Sequence, residues 1–116
     1  MALSGTTAVT RQPVGVIRSL VETRDLWRRQ VEELMMLARA DGCDLGEGMA
    51  GRFETMLDSL AEDNYSSLYH DLVNCKRLEL EALHGHAIKL GKKNSIELPV
   101  ISTVYAALRP YLDGHR

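Results

Sequence analysis

Apolar residues recur at spacings of three and four through most of this chain, a period that predicts helices. Val21 to Ala40 is the strongest case. Trp27, Val31, Leu34, Met35 and Ala38 fall on one side with Arg and Glu between them, and Gly42 supplies a glycine stop. After a loop from Cys43 to Gly48, Met49 to Leu60 repeats the pattern with Phe53, Met56, Leu57 and Leu60. Ser66 to Leu90 reads as one long helix. Asn64 and Ser66, favoured in turns and caps, open it, and the polar loop from Gly91 to Ser95 closes it. Pro99 suits the first turn of a final helix, where Val100, Val104, Leu108 and Tyr111 are spaced by four, four and three. Residues 2–10 form a short segment of small residues before a break at Pro13 and Gly15, and residues 14–20 add a short helical turn. The predicted fold class is all-α, with about five helices in one domain over residues 1–116.

The long predicted helix carries a charge where packing alone asks for leucine. Wound at about 100° per residue, Leu68, Leu72, Cys75, Ala82, Leu83, Ala87 and Leu90 share one arc, with Glu79 and His86 near its centre. Three readings of Glu79 stay open. It pairs with Lys76 one turn earlier, or it reaches water from a half-buried stripe, or it faces a cleft shared with a ligand or a second domain. Periodicity alone favours the first two. On a straight helix Glu79 and Ser67 are about 18 Å apart, too far to grip one small group.

The other candidates are weighed in the same way. His86 on an apolar face is more often a hydrogen-bonded core histidine than a ligand. His84 and His86 point in nearly opposite directions and His70 lies too far along the helix, so no metal site is predicted. One of Ser66 and Ser67 caps the helix, and a helix N-terminus also suits a carboxylate or phosphate. Gly85 inside a helix marks a close approach by another helix or a ligand. There is no P-loop, GxGxxG, GxSxG, HExxH or EF-hand loop.

Composition narrows the partners. The chain has 116 residues, a net charge of -2 and no basic block, which argues against nucleic acid or an anionic membrane. No apolar run approaches the length of a membrane span, and the N-terminus lacks the pattern of a signal peptide. Cys43 and Cys75 lie far apart with no CxxC, so reduced thiols in a cytoplasmic protein are expected.

Together these residues resemble a known family. Ser66-Ser67-Leu-x-x-Asp71, then Leu78-Glu79-Leu80-Glu81-Ala82-Leu83-His84-Gly85, then Leu98-Pro99, is similar to the C-terminal domain of ketopantoate reductases. The family pattern is Ser-Ser-Met-x-x-Asp, Thr-Glu-Ile-Asp-x-x-Asn-Gly and Gly-Ile-x-x-Pro. The turn at Pro13-x-Gly15 and the helix ending at Gly42 also match, so the resemblance covers essentially the whole chain. His84 departs from the family's Asn, Leu78 from a common Thr, and Val14 stands at or near a substrate-contacting Asn.

The resemblance implies a helical domain of the 6-phosphogluconate-dehydrogenase-like type, with no Rossmann domain in this chain. It implies an NADPH-dependent 2-dehydropantoate 2-reductase that acts on a 2-keto acid, and a homodimer. Ser67 matches the serine that hydrogen-bonds substrate, and Glu79 the glutamate that accompanies the catalytic lysine. Ser66, Gly85 and His84 are candidate cleft-lining residues. The family's lysine and its nucleotide-binding domain fall upstream of Met1. The chain alone is therefore expected to bind no cofactor and catalyse nothing. The rival expectation is a non-catalytic helical dimerisation or interaction module.

Overall fold

The computed structural model describes residues 1–114. Among them are seven α-helices: α1 (Ala2–Thr10), α2 (Val14–Ser19), α3 (Val21–Ala40), α4 (Met49–Ser59), α5 (Ser67–Val73), α6 (His86–Lys93) and α7 (Pro99–Leu108). A π-helical turn, Glu81–Gly85, runs into α6, and a 3-10 turn, Arg109–Tyr111, follows α7. No strand occurs among the described residues. The chain is all-α, with seven helices rather than five.

The segment of small residues at 2–10 is the central helix. α1 packs on α3, α5 and α7 and touches α2. Ala2, Gly5, Thr6, Thr7 and Ala8 are all buried, because small side chains let several neighbours approach at once. Its hydroxyls are satisfied locally: Thr6 donates to the Ala2 carbonyl at 2.7 Å, Thr7 to that of Leu3 at 2.9 Å and Thr10 to that of Thr6 at 2.7 Å. The helix can therefore sit in the core without stranding polar groups.

Three apolar clusters surround α1. One joins Ala8, Leu68, Leu72, Leu78, Leu80, Val104, Leu108 and Leu112. A second gathers Val14, Ile17, Trp27, Val31 and Leu57 from α2, α3 and α4. The third sets Leu37 of α3 against Ala87, Leu98 and Ile101. Arg24 and Arg28 of α3 also clamp Glu54 of α4 at 2.6 Å each, and Arg24 reaches Asp58 at 2.9 Å.

The long helix predicted over Ser66–Leu90 is three pieces. α5 stops after Val73, because Cys75 takes the left-handed conformation at φ 55°. Its N–H bonds the Leu72 carbonyl at 3.2 Å, and the N–H of Lys76 bonds that of Asp71 at 2.8 Å. That pair of bonds is a Schellman stop, of the same kind that ends α3 at Gly42, φ 89°. The last stretch also ends later than expected, at Lys93 rather than Leu90, with Gly91 buried inside α6. A Cβ on Gly91 would stand 2.8 Å from the Ile96 carbonyl, so glycine lets the returning chain cross the helix.

Candidate functional site

Breaking that helix changes where Glu79 points. Residues 76–79 belong to no helix, and Leu78, Glu79 and Leu80 alternate across this stretch. Leu78 is 2 % exposed and Leu80 0 %, while Glu79 between them faces solvent. A period of two, not 3.6, governs here. The carboxylate does not lie on an apolar helix face, and no helical turn joins it to Lys76. The N–H of Leu78 bonds the Leu112 carbonyl at 3.0 Å and pins the arm that carries Glu79.

Ser66 caps α5, accepting the Tyr69 N–H at 3.1 Å. Its Oγ also lies 2.6 Å from Thr7 Oγ1. Thr7 spends its single proton on backbone carbonyls of α1, so Ser66 is the donor in this pair. α1 thereby fixes the start of α5. Ser67, the first residue of α5, is exposed. Among the described residues neither Ser67 nor Glu79 makes a side-chain hydrogen bond or ion pair, which leaves both open to a ligand. The core cluster that holds Leu68, next to Ser67, also holds Leu78 and Leu80, on either side of Glu79. One core thus presents both residues, and the straight-helix separation of about 18 Å does not apply.

The turn before α2 meets the same region. The N–H of Val14 bonds the Asn64 carbonyl at 2.8 Å and that of Gly15 bonds the Glu62 carbonyl at 2.9 Å. A Cβ on Gly15 would stand 3.0 Å from that of Glu62, so the glycine matters for the close approach. Val14 is 0 % exposed and packs with Ile17 and Trp27, which turns it into the core.

His84 and Gly85 are buried in the π-helical turn, whereas His86 is exposed. The two histidines thus exchange the places that a regular helix gives them. Burial lowers the His84 pKa to about 4, with a smaller contribution from the charge of the Met1 amino group. Sequence reasoning overlooked the cluster beside this turn. Tyr105 Oη donates to Glu81 Oε1 at 2.5 Å, with Arg109 Nε 3.8 Å from the same oxygen. The bond to Glu81 raises the pKa of Tyr105. A Cβ on Gly85 would lie 2.6 Å from Glu81 Oε2. The spacing Glu81-x-x-x-Gly85 was the signal available: a side chain folds back over the residue one turn on.

No three His, Cys, Asp or Glu side chains among the described residues are placed to hold a metal. No helix among them is long and apolar enough to cross a membrane. An open groove of about 310 Å³ lies between α6 and α7, lined by Ile88, Lys92, Ile96, Leu98 and Ser102 among others. It includes none of the candidate residues.

A family model described as the ketopantoate reductase PanE/ApbA C terminal matches residues 1–112. The chain belongs to this family. An uncharacterized oxidoreductase of Bacillus subtilis, YkpB, is 27 % identical over 110 residues, covering 95 % of this chain and 36 % of its own length. A 2-dehydropantoate 2-reductase of Nostoc is 31 % identical over 90 residues, which are 75 % of this chain and 28 % of that one. The structure of a dimeric ketopantoate reductase from Staphylococcus aureus superposes with a TM-score of 0.89 at 26 % identity, covering 96 % of this chain and 39 % of that protein. The chain spans about a third of the length of these relatives. The ketopantoate reductase C-terminal domain is thus the unit that the helices form.

Proposed function

We propose that this chain is the substrate-binding domain of an NADPH-dependent 2-dehydropantoate 2-reductase-like enzyme of the cytoplasm, which reduces a 2-keto acid to a 2-hydroxy acid. The observation that carries the reading is the presentation of Ser67 and Glu79. Both match the family motif, both are exposed with no side-chain partner among the described residues, and one apolar cluster holds the segments that carry them. Ser67 would donate its hydroxyl to the substrate. Glu79 would orient the amino group of a lysine from outside the described residues, which returns a proton to the new alkoxide. In this reading NADPH is held by a separate nucleotide-binding domain, and the chain is inert without it.

The test joins this chain to the nucleotide-binding domain and the lysine-bearing segment of a ketopantoate reductase and follows NADPH oxidation with ketopantoate. The hybrid turns over. Glu79→Gln lowers kcat at least ~100-fold, the scale of a lost acid–base contribution, while Ser67→Ala acts mainly on KM. Turnover by the isolated chain would overturn its assignment as an inert half. A folded hybrid indifferent to both substitutions removes the roles given to them.

A second reading, self-association, draws on Leu20, Val21, Met36, Met56 and Val73, which are large apolar residues left exposed. The Staphylococcus aureus relative is dimeric. Sizing chromatography with light scattering tests the homodimer; a strict monomer at high concentration refutes it.

A further inference from the structure

Gln30 and His84 are both 0 % exposed, and between them they hold three polar atoms without a hydrogen-bond partner among the described residues: Gln30 Oε1 and both ring nitrogens of His84. An unmet buried donor or acceptor costs about 1–3 kcal/mol, so such atoms in one core need an account. Two of them converge. A Cβ added to Gly5 would stand 2.7 Å from Gln30 Oε1 and 2.7 Å from His84 Nε2. The acceptor and the ring nitrogen thus both lie over the bare Cα of Gly5, at most about 5.4 Å from one another.

The orientation of the Gln30 amide is settled by its other end. Nε2 faces two acceptors, Thr6 Oγ1 at 2.9 Å and the Leu26 carbonyl at 3.2 Å. Thr6 gives its own proton to the Ala2 carbonyl, so toward Gln30 it can only accept. Oε1 therefore lies on the His84 side, and an oxygen there can only accept. The histidine must supply the donor.

We infer that His84 carries its proton on Nε2 and donates it to Gln30 Oε1, as a positioning residue that ties the π-helical turn after Glu79 to α1. Forming the bond requires rotation about the terminal torsions of the two side chains. The chain of donors then runs from His84 to Gln30 to Thr6 to the Ala2 carbonyl. Thr6 and Thr7 are adjacent on α1: Thr6 receives this chain, and Thr7 receives Ser66, the cap of α5. One helix thus holds both segments that present Ser67 and Glu79. A ring kept neutral by burial suits a single fixed proton. The positioning role rests on the function proposed above, but the hydrogen bond does not.

The experiment is long-range 1H–15N correlation of the histidine side chains in the whole labelled chain. The expected result is an Nε2-protonated, neutral His84 whose signals do not move between pH 8 and pH 5.5. A proton on Nδ1, or a ring that titrates near its ordinary value, overturns the inference. Gln30→Met removes the acceptor at similar length and releases the tautomer signature; an unchanged signature also overturns it. His84→Asn keeps a donor and leaves the backbone amide signals of Thr7, Ser66 and Glu79 in place, whereas His84→Leu shifts them. If the Leu variant fails to fold, the wild-type tautomer and the Gln30→Met variant still decide. Amide signals that ignore His84→Leu refute the coupling to α1. The hybrid enzyme tests Glu79 separately, so the two failures are distinguishable.

Discussion

Glu33 Oε1 accepts the backbone N–H of Ile101 at 2.9 Å, across 68 positions of sequence. Its second oxygen accepts that of Val100 at 2.8 Å. α7 opens at Pro99 with Leu98 as its cap, and no side chain of its own caps it. A buried carboxylate from α3 therefore supplies both acceptors and places negative charge at the positive end of the helix. Apolar spacing along α3 cannot reveal this, because a charged residue on the inner side looks like an error until the helix it caps is known.

Replacing Glu33 with Ala leaves two orphaned amide donors in a buried setting. The expected cost is roughly 2–4 kcal/mol, from the loss of two charge-assisted bonds. Glu33→Gln keeps one acceptor and loses about half of that. Urea unfolding of the three proteins checks the order; an Ala variant as stable as the parent refutes the capping role.

Helix stops were legible unevenly: the end of α4 came within one residue of its place with no glycine near it, and Gly91, read as a stop, lies inside α6. α3 ends where the sequence places it, because Gly42 occupies the left-handed position at no steric penalty. Cys75 and Ser95 occupy the same position, at φ 55° and 57°, after α5 and α6. Neither residue type announces a stop, so the first break disappeared into one long predicted helix, and Glu79 and His86 were given the wrong faces. Once the break is known, Leu78-Glu79-Leu80 reads correctly as an alternating stretch. A serine cap needed no such knowledge, because a local rule places one of Ser66 and Ser67 there, and the cap is Ser66. α1 was missed as a helix because Ala, Ser, Gly and Thr show no apolar period; its order comes from three neighbouring helices.

Ser95 is the cleaner place to test that account, being exposed. The N–H of Ile96 bonds the Gly91 carbonyl at 2.8 Å around it. Ser95→Gly relieves the left-handed strain, worth about 1 kcal/mol for a residue with a Cβ, and loses part of that to the freer unfolded chain. A net gain of about 0.5 kcal/mol is expected in thermal unfolding. A loss of stability means that the turn is not left-handed at this position.

Gly85→Ala separates two effects of opposite sign. Alanine favours the helical backbone by about 1 kcal/mol. Its Cβ would stand 2.6 Å from Glu81 Oε2, so that carboxylate must swing away from Tyr105. Stability changes little, but the Tyr105 phenol, raised chiefly by its bond to Glu81, moves back toward its ordinary value. Ultraviolet titration of the tyrosines follows it. An unmoved Tyr105 means that Glu81 does not fold over Gly85.

Acid should weaken this fold in two windows with different causes. The unfolded His84 binds a proton as pH falls through about 6.5, while in the folded chain burial holds its pKa at about 4. The unfolded state therefore binds more protons across that window. The full stability is present above 6.5 and declines as pH falls toward 4. At about 1.4 kcal/mol per unit, the loss is at most about 3.5 kcal/mol. Below it the α3–α4 clamp gives way. Burial pushes Glu54 upward, but bonds from Arg28 and Arg24 outweigh it and leave its pKa lowered. The bond from Arg24 lowers Asp58 as well. Both carboxylates stabilise the fold above their ordinary values, 4.5 and 3.8, and the contribution is lost as pH falls through the lower folded values. Denaturant midpoints measured from pH 8 to pH 3 should show both declines. His84→Asn should abolish the first and spare the second, because an amide does not titrate. Added salt should shrink the second, whose charges are partly exposed, and leave the first in place. A parent chain whose stability stays flat between pH 7 and pH 5 refutes a neutral, buried His84.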